Sequence, residues 1–231
     1  MNTFADRITG FNNDLHFRDP LPPGFQVMNP FTDNQQARNI SEQFYRKYYS
    51  DNHPRKLILG INPGRFGAGV TGIPFTDTKR LKAVCGIATT IPETHEPSSV
   101  FVYDMIQAYG GAEKFYRDVF IHSVFPLALT TINDKGKEVN CNYYDRKDLM
   151  AAVLPFILEN IAKLVAIGVK TDVCYCLGTG DNYRFLQNLN VKHSFFGKVI
   201  PLEHPRFIMQ YRSRQKEEYV EKYVESLSAE S

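Results

Sequence analysis

The sequence predicts an α/β protein, a three-layer α/β/α sandwich around a central four-stranded parallel sheet. Three observations carry that expectation. Four apolar runs of strand length stand at residues 56–61, 119–124, 172–177 and 198–202. Segments with helical periodicity separate them, and strands alternating with helices pair in parallel with helices on both faces. The chain has 231 residues, 43% of them apolar, enough to build one large core. A single domain over residues 1–231 is therefore expected, with residues 1–55 as an amino-terminal lead-in and helix.

Each element follows from local chemistry. The proline-rich stretch 19–24 separates the amino-terminal segment from the body. Ala37, Ile40, Phe44 and Tyr48 recur at spacings of three and four, which predicts an amphipathic helix over 35–49. Strand 56–61 runs into Asn62-Pro63-Gly64, a turn, and then a glycine-rich loop through Gly67, Gly69 and Gly72. A short helix is expected near 78–85. Another covers 100–109 after Pro97-Ser98-Ser99, with a serine as its cap. Strand 119–124 ends at Pro126, and a helical pattern from Asp145 to Leu164 contains Pro155, which must kink or split it. Strand 172–177 turns through Gly178-Thr179-Gly180 into a helix over 181–189, strand 198–202 follows, and a last helix spans 215–227.

Composition narrows the function classes. A net charge of +2 excludes wholesale electrostatic coating of nucleic acid but leaves room for a basic cluster around one cleft. The cysteines, Cys85, Cys141, Cys174 and Cys176, have neither the paired spacing of a zinc site nor the density of a disulfide scaffold. They read as reduced, buried thiols, with Cys174 and Cys176 on one side of a strand. No metal or cofactor is expected. The first residues carry no apolar run of signal-peptide length, and no segment approaches membrane-spanning length. A cytoplasmic protein away from the membrane is the expectation.

The chemistry gathers at strand ends. Parallel strands would present Asn62, Ser123, the Gly178 turn and His204 along one sheet edge, where open α/β sheets place their ligands. Taken singly, each residue has a plain structural reading. Asn62 suits a turn, His204 before Pro205 suits a helix cap, and Phe75 suits a core.

Together their order is informative. The stretch from Gly60 to Phe75, GINPGRFGAGVTGIPF, resembles the first motif of the uracil-DNA glycosylase superfamily, in its single-strand-selective monofunctional (SMUG-like) type. HPRFIMQYRSR from His204 and FIHSVFPLAL from Phe120 resemble two further motifs of that type in the expected order. The resemblance covers about residues 56–227 and points to a bacterial branch. It implies a uracil-DNA glycosylase-like fold, and a monofunctional enzyme hydrolysing the N-glycosidic bond of uracil in DNA during base excision repair. Its partner would be DNA containing uracil or other deaminated bases, and the protein a monomer.

The resemblance also assigns roles. Asn62 would position the attacking water, and His204 would donate a hydrogen bond to the leaving uracil. Phe75 would stack on the flipped base, and backbone at Ile61 and Gly64 would close on it. Asp77 reads as the cap of the following helix. Ser123 breaks the pattern, because the family carries asparagine there; a hydroxyl reads a base edge less strictly than an amide, so xanthine or hypoxanthine becomes admissible. Arg65 and Arg206 depart from the family's commonest residues and add positive charge. With Arg212 they would meet phosphates, joined by Lys79, Arg80, Lys82, Arg214 and Lys216, while Phe207, Ile208 or Met209 would wedge into the duplex. Two other readings stay open. One is a weak or inactive damaged-base binder of the same fold; the other is a nucleotide-handling enzyme using Gly178-Thr179-Gly180 as a phosphate turn.

Overall fold

A computed structural model describes residues 2–229. Helix α1 (Phe4–Asn13) opens the chain. Strand β1 (Phe25–Met28), helix α2 (Pro30–Asp33) and helix α3 (Gln35–Tyr48) lead to β2 (Arg55–Gly60). Beyond the glycine-rich loop come α4 (Ala68–Thr71), α5 (Thr78–Ala83), α6 (Pro97–Tyr109), α7 (Ala112–Asp118) and β3 (Val119–Ser123). A hairpin of β4 (Ala128–Ile132) and β5 (Glu138–Asn140) precedes α8 (Lys147–Ile167), β6 (Val169–Leu177), α9 (Asp181–His193) and β7 (Lys198–Leu202). Helices α10 (Pro205–Tyr211) and α11 (Lys216–Ser228) complete the described elements.

The central sheet has the order β3-β2-β6-β7, parallel throughout. Helices flank it, and every residue of β3 is buried, as a strand covered on both faces requires. The four expected strands are these four. The sequence reading did not include a second, antiparallel sheet of order β1-β4-β5. Its strands are three to five residues long and partly exposed, so they lack the continuous apolar signal of the central sheet. The β-branched run Thr130-Thr131-Ile132 and the turn residue Gly136, at φ +69, were the available hairpin signal.

Several expectations change. The lead-in is an integral helix: the Thr3 hydroxyl accepts the Asp6 amide while the Asp6 carboxylate takes the Thr3 amide, a capping box at the start of α1, and Phe4 and Ile8 are fully buried. Pro155 does not split α8, which runs unbroken for 21 residues. Pro155 lies on the exposed face and Ala151, four residues earlier, is exposed too, so water can meet the carbonyl that proline leaves without a partner. That helix is also long and apolar enough to cross a membrane by length and composition, against the expectation that no segment approached such length. Here it buries Leu149, Val153, Phe156, Ile157, Ile161 and Leu164 in the core. Helix α6 begins at Pro97 with Glu96 as its cap residue. No serine caps it, because the Ser99 hydroxyl is bound to Asp77 at 2.6 Å and to the Glu96 carbonyl at 2.7 Å. All four cysteines are buried free thiols.

One buried charge ties the amino terminus to the sheet. Arg55 is fully buried at the start of β2, bound to both Asp51 oxygens at 2.6 and 3.0 Å and lying 4.7 Å from the ring centre of Phe4 and 5.0 Å from that of Tyr49. Removing the carboxylate leaves a guanidinium without its counter-charge. Asp51→Asn is expected to lower unfolding stability by about 3 kcal/mol, the low end for a buried pair because Asp51 keeps contact with water. The midpoint of a urea titration reads it; a midpoint equal to wild type refutes this account of Arg55.

Candidate active site

At the carboxyl end of the central sheet lies a cleft of about 270 Å³. Strand β2 delivers Ile61, Asn62 and Gly64 to it, β3 delivers Ser123, and the end of β7 delivers His204, with Phe75 and Arg206 completing the set. Seven of the residues singled out in the sequence therefore meet here. The Gly178 turn stays outside: Asn182 fills the end of β6, donating to the Leu177 carbonyl at 2.9 Å and accepting from the Tyr143 hydroxyl at 2.7 Å.

Asn62 is held by the segment after β5. Its amide donates to the Cys141 carbonyl at 3.1 Å, and its Oδ1 accepts the Tyr143 amide at 3.3 Å. These partners fix which atom is oxygen, and Oδ1 keeps a second lone pair for a water. The next backbone amide of the loop, that of Arg65, is occupied by Asn140 Oδ1 at 3.0 Å.

His204 caps α10. Its Nδ1 accepts the Arg206 amide at 3.1 Å, so in the neutral ring the proton sits on Nε2. Burial, assisted by the Arg206 charge, lowers its pKa to about 3. The imidazole is thus a neutral donor across the physiological range. Phe75 stands beside it, with ring centres 5.9 Å apart. Phe75 has φ +52, which costs a non-glycine residue about 1 to 2 kcal/mol. Pro74 before it and the Thr76 amide returning to the Ile73 carbonyl at 3.2 Å form a tight turn, and Thr71 Oγ donates to the Thr76 carbonyl at 2.7 Å. The strain is held at the residue whose ring faces the cleft.

Asp77 is the cap of α5, accepting the Arg80 amide at 2.9 Å. Burial works to raise its pKa, but Ser99, the Glu96 and Arg80 amides and the Arg80 charge outweigh it and hold the carboxyl below its usual range.

Sequence reasoning missed Glu96, Asn140, Cys141 and Asn142, which also line the cleft. Glu96 is the only carboxylate among the described lining residues. Its carboxyl lies directly against the glycine-rich loop, so that a side chain at Gly67 would displace it. Burial, with a smaller push from Asp77 and against the pull of Arg206, raises its pKa to about 7.

The basic rim is smaller than expected. Arg65 lies outside the lining, 3.5 Å from Glu138 and over the Phe66 ring. Arg80 pairs with Asp77 at 3.1 Å and Lys216 with Asp104 at 2.6 Å. Lys79, Lys82, Arg206, Arg212 and Arg214 are exposed. The wedge candidates sit on helix α10, with Ile208 fully buried and Met209 packed against the core, so among the three only Phe207, 41% exposed, is free.

An Asn-Pro-Gly turn after β2, an aromatic in a strained turn and a neutral histidine after β7, brought together in one cleft, define a class. Residues 46–228 match the family model of the uracil DNA glycosylase superfamily, and the chain belongs to that superfamily. Within it the chain is of the SMUG-like type: it is 53% identical to the protein in the crystal structure of wild-type Pedobacter heparinus SMUG2, over 98% of this chain and 97% of that one, with a TM-score of 0.95. It is also 28% identical over 102 residues to the single-strand selective monofunctional uracil DNA glycosylase of Bos taurus, covering 37% of this chain and 38% of that protein. The chain thus spans about two fifths of the length of that curated relative.

Proposed function

We propose that this protein, one domain acting as a monomer in the cytoplasm, is a monofunctional DNA glycosylase. It hydrolyses the N-glycosidic bond of uracil in DNA, and of hypoxanthine and xanthine, during base excision repair. The observation that carries this reading is the neutral His204, with its proton on Nε2, in one cleft with Asn62, Phe75 and Ser123. A departing uracil gathers negative charge on the carbonyl beside the breaking bond. A preorganised neutral donor stabilises that charge. Phe75 stacks on the flipped base, Asn62 Oδ1 orients the water, and Ile61 and Gly64 bound the base. Glu96 supplies the carboxylate that the Asn-Pro-Gly turn lacks. Family membership and the 53% identity to SMUG2 support the same reading.

DNA would lie across the exposed Arg206 and Arg212 with Phe207 at the duplex, and Arg65 at the edge. Oligonucleotides carrying uracil, hypoxanthine or xanthine test the assignment in single turnover, which separates an enzyme from a binder. Wild type should leave alkali-labile abasic sites. Ser123→Asn should shift preference toward uracil by about tenfold, the worth of one good hydrogen bond; an unchanged preference removes Ser123 from base reading. Arg212→Ala should weaken binding of every oligonucleotide alike and reduce the salt slope by about one phosphate contact.

A further inference from the structure

Asn12, near the end of α1, is 3% exposed, and among the described residues neither its amide nitrogen nor its oxygen has a hydrogen-bond partner. Burying an amide in this way is costly, and an apolar side chain would suit a purely packed position better. The Tyr45 hydroxyl faces it but falls outside hydrogen-bond geometry.

Asn12 lines a cavity of about 20 Å³ together with Tyr45, His122, Ser123, Pro63 and Pro74. Ser123, Pro63 and Pro74 also line the cleft, so the cavity lies directly behind the cleft wall. Its size suits one water, which needs about 10 to 15 Å³ and two to four polar partners. Asn12 offers donors and an acceptor. His122 uses Nδ1 on the Ser123 carbonyl at 3.3 Å, which leaves Nε2 as an acceptor in the neutral ring, and burial lowers its pKa to about 4. Ser123 itself lines both the cavity and the cleft.

We infer that Asn12 is a positioning residue for base specificity, acting on the Ser123 hydroxyl through one water held in this cavity. A serine offers one proton, so alone it presents either a donor or an acceptor. A water that donates to Oγ turns the serine proton toward the base; a water that accepts that proton turns an oxygen lone pair toward the base. The Asn12 amide supports the water in both orientations because it carries both functions. Ser123 can then meet a base carbonyl or a base N–H. The amide that the family places on β3 is thereby supplied one layer back, from α1, outside residues 46–228.

The inference rests on the glycosylase reading, and the test separates the two. Wild type, Asn12→Leu, Asn12→Ser, Ser123→Asn and the Asn12→Leu/Ser123→Asn double variant are compared for single-turnover release of uracil and hypoxanthine, with melting temperature alongside. Asn12→Leu should fold at least as stably as wild type yet release both bases about tenfold more slowly, the worth of one hydrogen bond. Asn12→Ser, which keeps both functions and admits a second water, should stay within about threefold of wild type. In the double variant, the amide introduced by Ser123→Asn reads uracil directly, and uracil release should return to the Ser123→Asn rate. A purely structural Asn12 predicts no such rescue. Wild type that releases no uracil overturns the functional reading. Wild-type release that Asn12→Leu leaves unchanged, or that Ser123→Asn does not restore, overturns this inference alone. Should Asn12→Leu fail to fold, an Asn12→Ser rate tenfold below wild type overturns it as well.

Discussion

Replacing His204 with alanine should reduce single-turnover release of uracil by about 10² to 10³, the cost of removing one preorganised donor from a developing anion. Affinity for uracil-containing DNA should change far less, because the hydrogen bond strengthens only as charge builds on the leaving base. Alanine also removes the cap of α10, where Nδ1 takes the Arg206 amide, at about 1 kcal/mol. His204→Asn separates the two roles. Asparagine is a good cap residue, so stability should hold, while the shorter side chain withdraws the donor and activity should stay low. With its pKa lowered to about 3, His204 adds no limb to a pH profile above pH 5. An acid limb that vanished with His204→Asn would show a histidine that cycles through imidazolium, contrary to this account.

His204, Asn62, Phe75 and Ser123 were legible in the sequence because each belongs to a strand end or turn written in consecutive residues. The four central strands were legible for a similar reason: strands covered on both faces read as continuous apolar runs. Residues whose role depends on distant packing were not. Glu96 before Pro97 reads as an ordinary helix start, and only the closure of Gly67 on its carboxyl makes it part of the cleft. Asn140 sits on a three-residue strand too short to register. Asn12 reads as one more polar residue of an amino-terminal lead-in, until that segment forms α1 and packs behind β3. The misplacement of Ile208 and Met209 has the same origin. Met209 and Ile208 look available for DNA as residues in a line, but a helix beginning at Pro205 turns Ile208 into the core.

The other large effect belongs to Glu96. The proposed reaction needs an acceptor for a water proton, or a negative charge facing the sugar as it becomes cationic, and only an ionised carboxylate serves in either case. With the Glu96 pKa raised by burial to about 7, uracil release should climb between pH 6 and 8 with a midpoint near the same value. Glu96→Gln should remove this limb and lower the plateau by about 10², the smaller end of general acid–base catalysis. A Glu96→Gln protein that keeps the wild-type limb would assign it elsewhere. Stability supplies an independent reading of the same group. Below the unfolded value of 4.5, both folded and unfolded states hold the proton and Glu96 contributes nothing to pH dependence. Between 4.5 and about 7 the unfolded chain ionises first, so stability falls as pH rises; above that interval the penalty is constant, at most about 3 kcal/mol. Glu96→Gln should therefore melt higher than wild type at pH 8 and near it at pH 4, while being the slower enzyme at pH 8. That opposition, a carboxylate that weakens the fold where it speeds the reaction, is what a catalytic group buried against its preference should produce. A variant equally slow but no more stable at pH 8 would place the Glu96 carboxylate in water instead of in the cleft wall.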